Sequence, residues 1–257
     1  KVGGIVANNL YPTEFLLQNL IIQNNVILAA HEANVQKLMF LGSSCIYPKF
    51  AKQPISENEL LTGELELTNE PYAIAKIAGI KLCESFNRQY GRDYRSLMPT
   101  NLYGPHDNFD LITSHVLPAL IRKFYQAKVD DQEHVSVWGT GLAKREFLHV
   151  DDLAEACHYF FELSDHEFYQ NVPPQSSHVN IGYGKDISIK SLAELIKNSI
   201  GYKGKIVFDH KKPDGTHQKL LDSSLANKLG WVPKIGLEEG IKSTIEWFGA
   251  NISAARY

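Results

Sequence analysis

Tyr72 and Lys76 stand four residues apart in the stretch Glu70-Pro71-Tyr72-Ala73-Ile74-Ala75-Lys76. Pro71 suits the first turn of a helix, where a missing backbone N–H costs nothing, so phenol and ammonium fall one turn apart on one face. An ammonium beside a phenol favours the phenolate, which brings the tyrosine toward the range where it exchanges a proton with a sugar or alcohol oxygen. The spacing alone says little, because helices carry many such pairs without consequence. A second motif, Phe40-Leu41-Gly42-Ser43-Ser44-Cys45, ends an apolar run with glycine and small hydroxyl residues. An α/β sheet binds ligands at the carboxyl ends of its strands, and Ser43 placed there would hydrogen-bond the same oxygen that Tyr72 protonates. A serine-rich turn is the plainer reading of that motif taken alone. The two motifs together favour catalysis.

The elements that must carry these residues are readable from periodicity. A helix is expected from Pro12 to Ala33, a strand from Lys37 to Leu41, and a long helix from Pro71 to about Tyr90 that closes at Gly91. A strand follows from Tyr94 to about Leu102. Strand and helix thus alternate, which argues for a parallel sheet covered on both faces. Further on, a helix near Ile112 to Ala127 contains Pro118 and should be kinked or broken there. A strand at Val135 to Trp138 runs into Gly139-Thr140-Gly141, and Arg145 to Val150 reads as a strand leading into a helix capped by aspartate and reaching about Leu163. Val179 to Gly182 reads as another strand. The fold class is therefore α/β, a Rossmann-type doubly wound parallel sheet with a smaller carboxyl-terminal α/β domain. Residues 1–106, with a return segment near 145–182, form the first part. Residues 107–144 and 183–257 form the second.

The chain has 257 residues, 44% hydrophobic and 21% charged, with a formal charge of −3. That balance offers no basic footprint for nucleic acid and no polybasic membrane patch. The longest apolar stretch, Leu16 to Ala30, is broken by Gln18, Asn19, Gln23, Asn24 and Asn25, so no membrane-spanning segment is expected. Cys45, Cys83 and Cys157 lack C-x-x-C spacing, which points to a reducing cytoplasm, and the scattered histidines predict no metal. No G-x-G-x-x-G or G-x-x-G-x-x-G opens a helix to receive a pyrophosphate. Gly3-Gly4 reads instead as a turn in mid-sheet, and the expectation is that roughly 60 residues carrying the first strands and the phosphate loop precede this chain.

Several stretches together carry a more specific resemblance. These are Gly42 to Pro48, Asn69 to Lys76, Pro99-Thr100-Asn101-Leu102-Tyr103-Gly104-Pro105-His106-Asp107-Asn108-Phe109, Ser114-His115-Val116, and Arg145 to Asp152. They closely resemble the GDP-L-fucose synthase family, of the extended short-chain dehydrogenase/reductase group. The resemblance implies an NADP(H)-dependent, dimeric enzyme acting on GDP-4-keto-6-deoxy-D-mannose. It would epimerise C3 and C5 and then reduce the C4 ketone. A C4 ketone acidifies the protons on both neighbouring carbons, so epimerisation needs a base on one face, an acid on the other and a stabilised C4 enolate. By resemblance, Cys45 and His115 are that acid/base pair, and a thiol and an imidazole both titrate close enough to neutrality to serve. Ser43 and Tyr72 would hydrogen-bond the C4 oxygen. Lys76 would hold the nicotinamide ribose.

The same resemblance implies that Leu41, Gly42, Ser43, Ser44, Pro99, Thr100, Asn101 and Leu102, with Tyr72, Lys76 and His115, line the cofactor side of the cleft. Val116, Lys123, Trp138, Arg145, Asp214 and Lys219 would line the GDP side. Fixed cations such as Arg145 and Lys219 suit a diphosphate, while guanine offers a flat face to Trp138 and donors to Asp214. A 4,6-dehydratase is expected to carry Thr-Asp-Glu where Ser43-Ser44-Cys45 stands. A 4-epimerase has no use for a thiol/imidazole pair, and a non-catalytic cofactor-binding relative would have lost Ser43, Tyr72 or Lys76. A homodimer is expected, through the helices at Pro12 to Ala33 and Pro71 to Tyr90.

Overall fold

The computed structural model describes residues 2–212 and 214–252. In chain order the elements are α1 (Ile5–Leu10), α2 (Pro12–Glu32), β1 (Lys37–Leu41), α3 (Glu70–Tyr90), β2 (Asp93–Pro99), β3 (Asn101–Tyr103), α4 (Val116–Val129), β4 (His134–Trp138) and β5 (Lys144–His149). They continue with α5 (Val150–Glu162), α6 (Asp165–Tyr169), β6 (His178–Ile181), β7 (Asp186–Ser188), α7 (Ile189–Ile200), β8 (Lys205–Asp209), β9 (Gln218–Lys219), α8 (Ser224–Lys228) and α9 (Leu237–Ala250). The expected Rossmann-type α/β architecture is present.

Strands β1, β2 and β6 form a parallel sheet with β2 in the middle. Every residue of β2 is buried, as a central parallel strand covered on both faces requires. Side chains alternate across it. Tyr94 and Met98 join Phe40, Ile77 and Ile80 in a core under α2 and α3, whereas Leu97 joins Leu153, Phe160 and Trp231 in a core under α5. A third core gathers α4, α7 and α9 over β4 and β5, with Phe124, Leu192, Ile196 and Phe248 fully buried.

Helix α3 carries the Tyr72–Lys76 pair, and its placement follows from its ends and one glycine. Pro71 occupies its first turn, and Gly91, at φ +64°, closes it in the left-handed conformation that glycine adopts freely. A Cβ on Gly79 would collide with the Phe40 ring, so the missing side chain lets α3 lie directly on β1.

Three local expectations are corrected. The run from Tyr94 is two strands, because the chain leaves the first sheet at Pro99, which has no N–H for a ladder, and resumes as β3 beside β5. Helix α4 starts at Val116 rather than near Ile112, so Pro118 lies in its first turn and bends nothing. The preceding residues are held instead by the Asp110 carboxylate, which accepts from Ile112 N and Thr113 N at 3.1 and 2.8 Å. Helix α5 is capped by the His149 ring, which accepts from Asp151 N, and not by an aspartate.

Arg95, fully buried on β2, forks onto Asp93 at 2.7 and 2.8 Å and donates to the carbonyls of Phe160 and Leu163, which end α5. Burial works against the Asp93 carboxylate, but the Arg95 guanidinium outweighs it and holds its pKa below the ordinary value. Removing Arg95 takes the bidentate cation from the buried Asp93 carboxylate, leaving it Lys37 at 3.4 Å and the Tyr169 hydroxyl at 2.9 Å. Arg95→Met should therefore lower the unfolding free energy by about 3–5 kcal/mol in urea titrations. Because the folded-state pKa of Asp93 is depressed, this contribution is present above the ordinary carboxylate range and disappears as the pH falls through the folded-state pKa. A variant as stable as the parent would contradict the assignment.

Candidate active site

At the carboxyl end of β1 the chain turns through Gly42 and Ser43 into a single helical turn, Ser44–Ile46. The Ser43 hydroxyl caps that turn by accepting from Cys45 N at 3.4 Å. This places the Cys45 thiol directly behind the strand end. Cys45 is 7% exposed, and burial pushes its thiol up, opposed by the Lys219 ammonium, by a hydrogen bond with Ser43 and by Lys76.

Lys76 reaches back from α3 and donates to the Leu41 carbonyl at 2.8 Å. Its ammonium lies 5.1 Å from the Phe40 ring centre and 5.7 Å from that of Tyr72. Phenol, thiol and ammonium thus share one end of one strand. The expected lysine-lowered phenol does not appear: burial pushes the Tyr72 phenol well above its ordinary value, and Cys45 adds to the rise. Burial also holds the Lys76 ammonium below its ordinary value, with Cys45 opposing. Lys76 directs its charge at a carbonyl oxygen, and the phenol is left as a proton donor.

His115 is the residue before α4 and sits on a solvent-open edge, recessed enough that the surrounding protein holds its imidazole below the ordinary range. The loop before it and the tyrosine each touch the start of the chain. Gly4 N donates to Thr113 O at 3.0 Å, and Phe15, at the start of α2, packs edge-on against Tyr72 with ring centres 6.1 Å apart.

The cations expected on the nucleotide side come together by strand pairing. Arg145 on β5 stands in register with Lys219 on β9. Burial lowers both: Lys219 is pulled back up by Cys45 and lowered further by Arg145, whereas Asp214 supports the charge on Arg145. Lys219 is therefore the link between the thiol and the guanidinium. Asp214 itself is gripped by Thr140, whose N–H and hydroxyl donate at 2.7 and 2.9 Å. Those hydrogen bonds outweigh burial and keep its carboxyl below the ordinary value. Lys123 donates to Ser136 O at 3.1 Å and lies 5.7 Å from the centre of the Trp138 ring, which is 42% exposed. Val116 opens α4 and packs against the third core.

On the other side, Pro99 and Thr100 are buried at the end of β2, and Leu102 is half-buried on β3. The Asn101 amide donates to Glu146 O at 2.8 Å rather than pointing into the cleft. Two residues passed over in the sequence, Glu146 and Asn180, prove central. Glu146 is fully buried, and its carboxylate accepts from Gly184 N at 2.7 Å and Leu221 N at 3.1 Å, tying β5 to the segment that follows Lys219. A lone carboxylate on the buried side of an apolar strand was the available sign. Among the described residues, no cluster of His, Cys, Asp and Glu could hold a metal ion, and no helix is long and apolar enough to cross a membrane.

A parallel sheet with hydroxyl, phenol and ammonium gathered at one strand end defines a class, the α/β dinucleotide-dependent oxidoreductases and epimerases. The chain belongs to the NAD dependent epimerase/dehydratase family, whose model matches residues 1–182. It is 60% identical to the GDP-L-fucose synthase of Escherichia coli (strain K12) over 98% of this chain and 78% of that one. Among solved structures, a GDP-6-OMe-4-keto-L-xylo-heptose reductase from C. jejuni superposes with a TM-score of 0.91 at 38% identity, covering 98% of this chain and 81% of that one. A GDP-L-fucose synthetase from Naegleria fowleri bound to NADP superposes with a TM-score of 0.86 at 29% identity, covering 96% and 76%.

The thiol's environment can be read directly. The pH midpoint for iodoacetamide modification of Cys45, followed by peptide mass spectrometry, should lie above the free-cysteine value of about 8.5. It should rise further in Lys219→Met, which removes the largest opposing charge. A midpoint below the free value, or one that ignores Lys219, would contradict the electrostatic account.

Proposed function

We infer that this chain catalyses the GDP-L-fucose synthase reaction: 3,5-epimerisation of GDP-4-keto-6-deoxy-D-mannose, followed by NADPH-dependent reduction at C4. Similarity to the synthases supports the substrate. The observation that carries the chemistry is a buried thiol set between the Tyr72–Lys76 pair and the Arg145–Lys219 pair.

The donor set fits a nicotinamide nucleotide. Lys76 and the Ser43 and Ser44 hydroxyls offer donors at the end of β1, and Leu41, 40% exposed, gives an apolar face in a groove shared with Ile22 and Val26. NADPH, when bound, supplies the hydride for C4. Ser43 and Tyr72 receive the C4 oxygen, and their hydrogen bonds strengthen as it gains negative charge, first as enolate and then as alkoxide. The raised phenol pKa suits Tyr72 to donate its proton only to that strongly basic oxygen. Cys45 and His115 exchange protons at C3 and C5 from opposite faces of the ring. Arg145 and Lys219 hold the diphosphate, whose charge offsets their mutual repulsion. Trp138, Lys123, Val116 and Asp214 hold the guanosine end.

Exposed apolar residues support an assembly. Leu17, Ile21 and Leu28 form one exposed stripe on α2, beside exposed Ile74 of α3. We propose that this face pairs with its copy in a homodimer. Light scattering should give a dimer for the protein and a monomer for Ile21→Glu; a monomeric parent would reject the interface.

The chemical assignment is tested by Cys45→Ser. The variant should exchange neither C3 nor C5 protons with deuterated water, yet still oxidise NADPH and release a GDP-6-deoxyhexose of unchanged C3 and C5 configuration. Normal solvent exchange in that variant would refute the role of the thiol.

A further inference from the structure

Asn180 lies on β6, outside the residues that face the cleft, and is fully buried. Its side-chain oxygen accepts from the Tyr47 hydroxyl at 2.5 Å, and its amide nitrogen donates to Ile55 O at 2.9 Å and Asp222 O at 3.3 Å. Its backbone N–H donates to the Glu57 carboxylate at 2.9 Å. Two of these partners have consequences for the reaction. Tyr47 follows Cys45 by two residues, and Asp222 follows Lys219 by three.

The segments that carry those partners are laced together. Ile55 N donates to Leu220 O and Asp222 N to Ile55 O, both at 2.8 Å, while Leu220 N donates to the Gln53 side chain at 2.9 Å. The chain leaving Cys45 therefore runs alongside the chain leaving Lys219, and Asn180 sits beneath both. Only an amide supplies what this position asks for. Tyr47 needs an acceptor, while the two carbonyl oxygens need donors; a carboxylate would face them with acceptors alone, and an aliphatic side chain would satisfy none.

We propose that Asn180 is a positioning residue for epimerisation, which through Tyr47 and Asp222 holds the Cys45 thiol and the Lys219 ammonium at a fixed separation across one seam. The proposal rests on the reading of Cys45 as an acid/base group. Interaction between charges falls with distance, so a loosened seam weakens the ammonium's hold on the thiol, while Tyr72 and Lys76 keep their places on α3. Lys219 is the foremost charge opposing the burial of that thiol. The seam also lets the diphosphate ligand Lys219 and the acid/base group Cys45 move only together.

The test compares Asn180→Asp, Asn180→Ala and Tyr47→Phe with the parent and with Cys45→Ser. It follows solvent-deuterium exchange at C3 and C5 across pH, and the ratio of epimerised to unepimerised product when NADPH is present. In the seam variants, exchange should fall on the order of 10- to 100-fold, as expected of a displaced catalytic group. The thiol limb of the exchange profile should move to higher pH, and the product ratio should shift toward the unepimerised sugar. Tyr47→Phe removes one hydroxyl and carries the test if the Asn180 variants do not fold. Exchange and reduction falling in proportion, with no movement of the profile, would overturn the proposal and leave Asn180 a purely structural residue. Parent-like exchange in Cys45→Ser would overturn the underlying reading instead.

Discussion

The hydrogen bond from the Lys76 ammonium to the Leu41 carbonyl fastens the long helix to the end of the first described strand, and the site's geometry depends on it. Gly79 lets helix and strand touch one turn further along, so the pair is fixed at two points rather than one. With α3 held there, Tyr72 must face the turn where the strand ends, which is where Ser43 and Cys45 are presented. A helix free to slide by one turn would carry the phenol about 5.4 Å along the strand axis, away from the turn that presents Ser43 and Cys45.

Burial governs the charges around that point. It raises the phenol and the thiol and lowers the ammonium groups of Lys76 and Lys219, so these four groups are held toward their neutral forms. Such a site is short of negative charge in a way its ligand can supply. On the proposed reading, a diphosphate placed on Arg145 and Lys219 would stabilise those cations, and an oxygen that gains charge at C4 would meet donors already in place. Such an arrangement would favour the transition from ketone to enolate or alkoxide over the neutral ketone itself.

What was legible in the sequence was local. Strand Lys37–Leu41, the proline opening and glycine closing of α3, and the strand ends that bear Ser43 and Arg145 all follow from short-range pattern. Features that depend on distant partners were not legible. The chain changes sheets at Pro99 because β3 finds β5, and α4 starts late because Asp110 claims the backbone ahead of it. The rise of the Tyr72 phenol is hidden for the same reason, since a one-turn spacing shows the neighbouring lysine but neither the burial nor the Cys45 thiol that push the phenol up. Asn180 had no motif to announce it, and the Arg145–Asp152 stretch that contains Glu146 does not show its role, because their partners lie 38 to 133 residues away in sequence.

The central claim is that a thiol, an imidazole and a phenol act on the two sides of a single sugar carbonyl. Nuclear magnetic resonance of the GDP-sugar formed in deuterated water with unlabelled NADPH tests it most directly. The account requires solvent deuterium at C3 and at C5, inverted configuration at both carbons, and protium at C4. Protium at C3 or C5, or deuterium at C4, would contradict it.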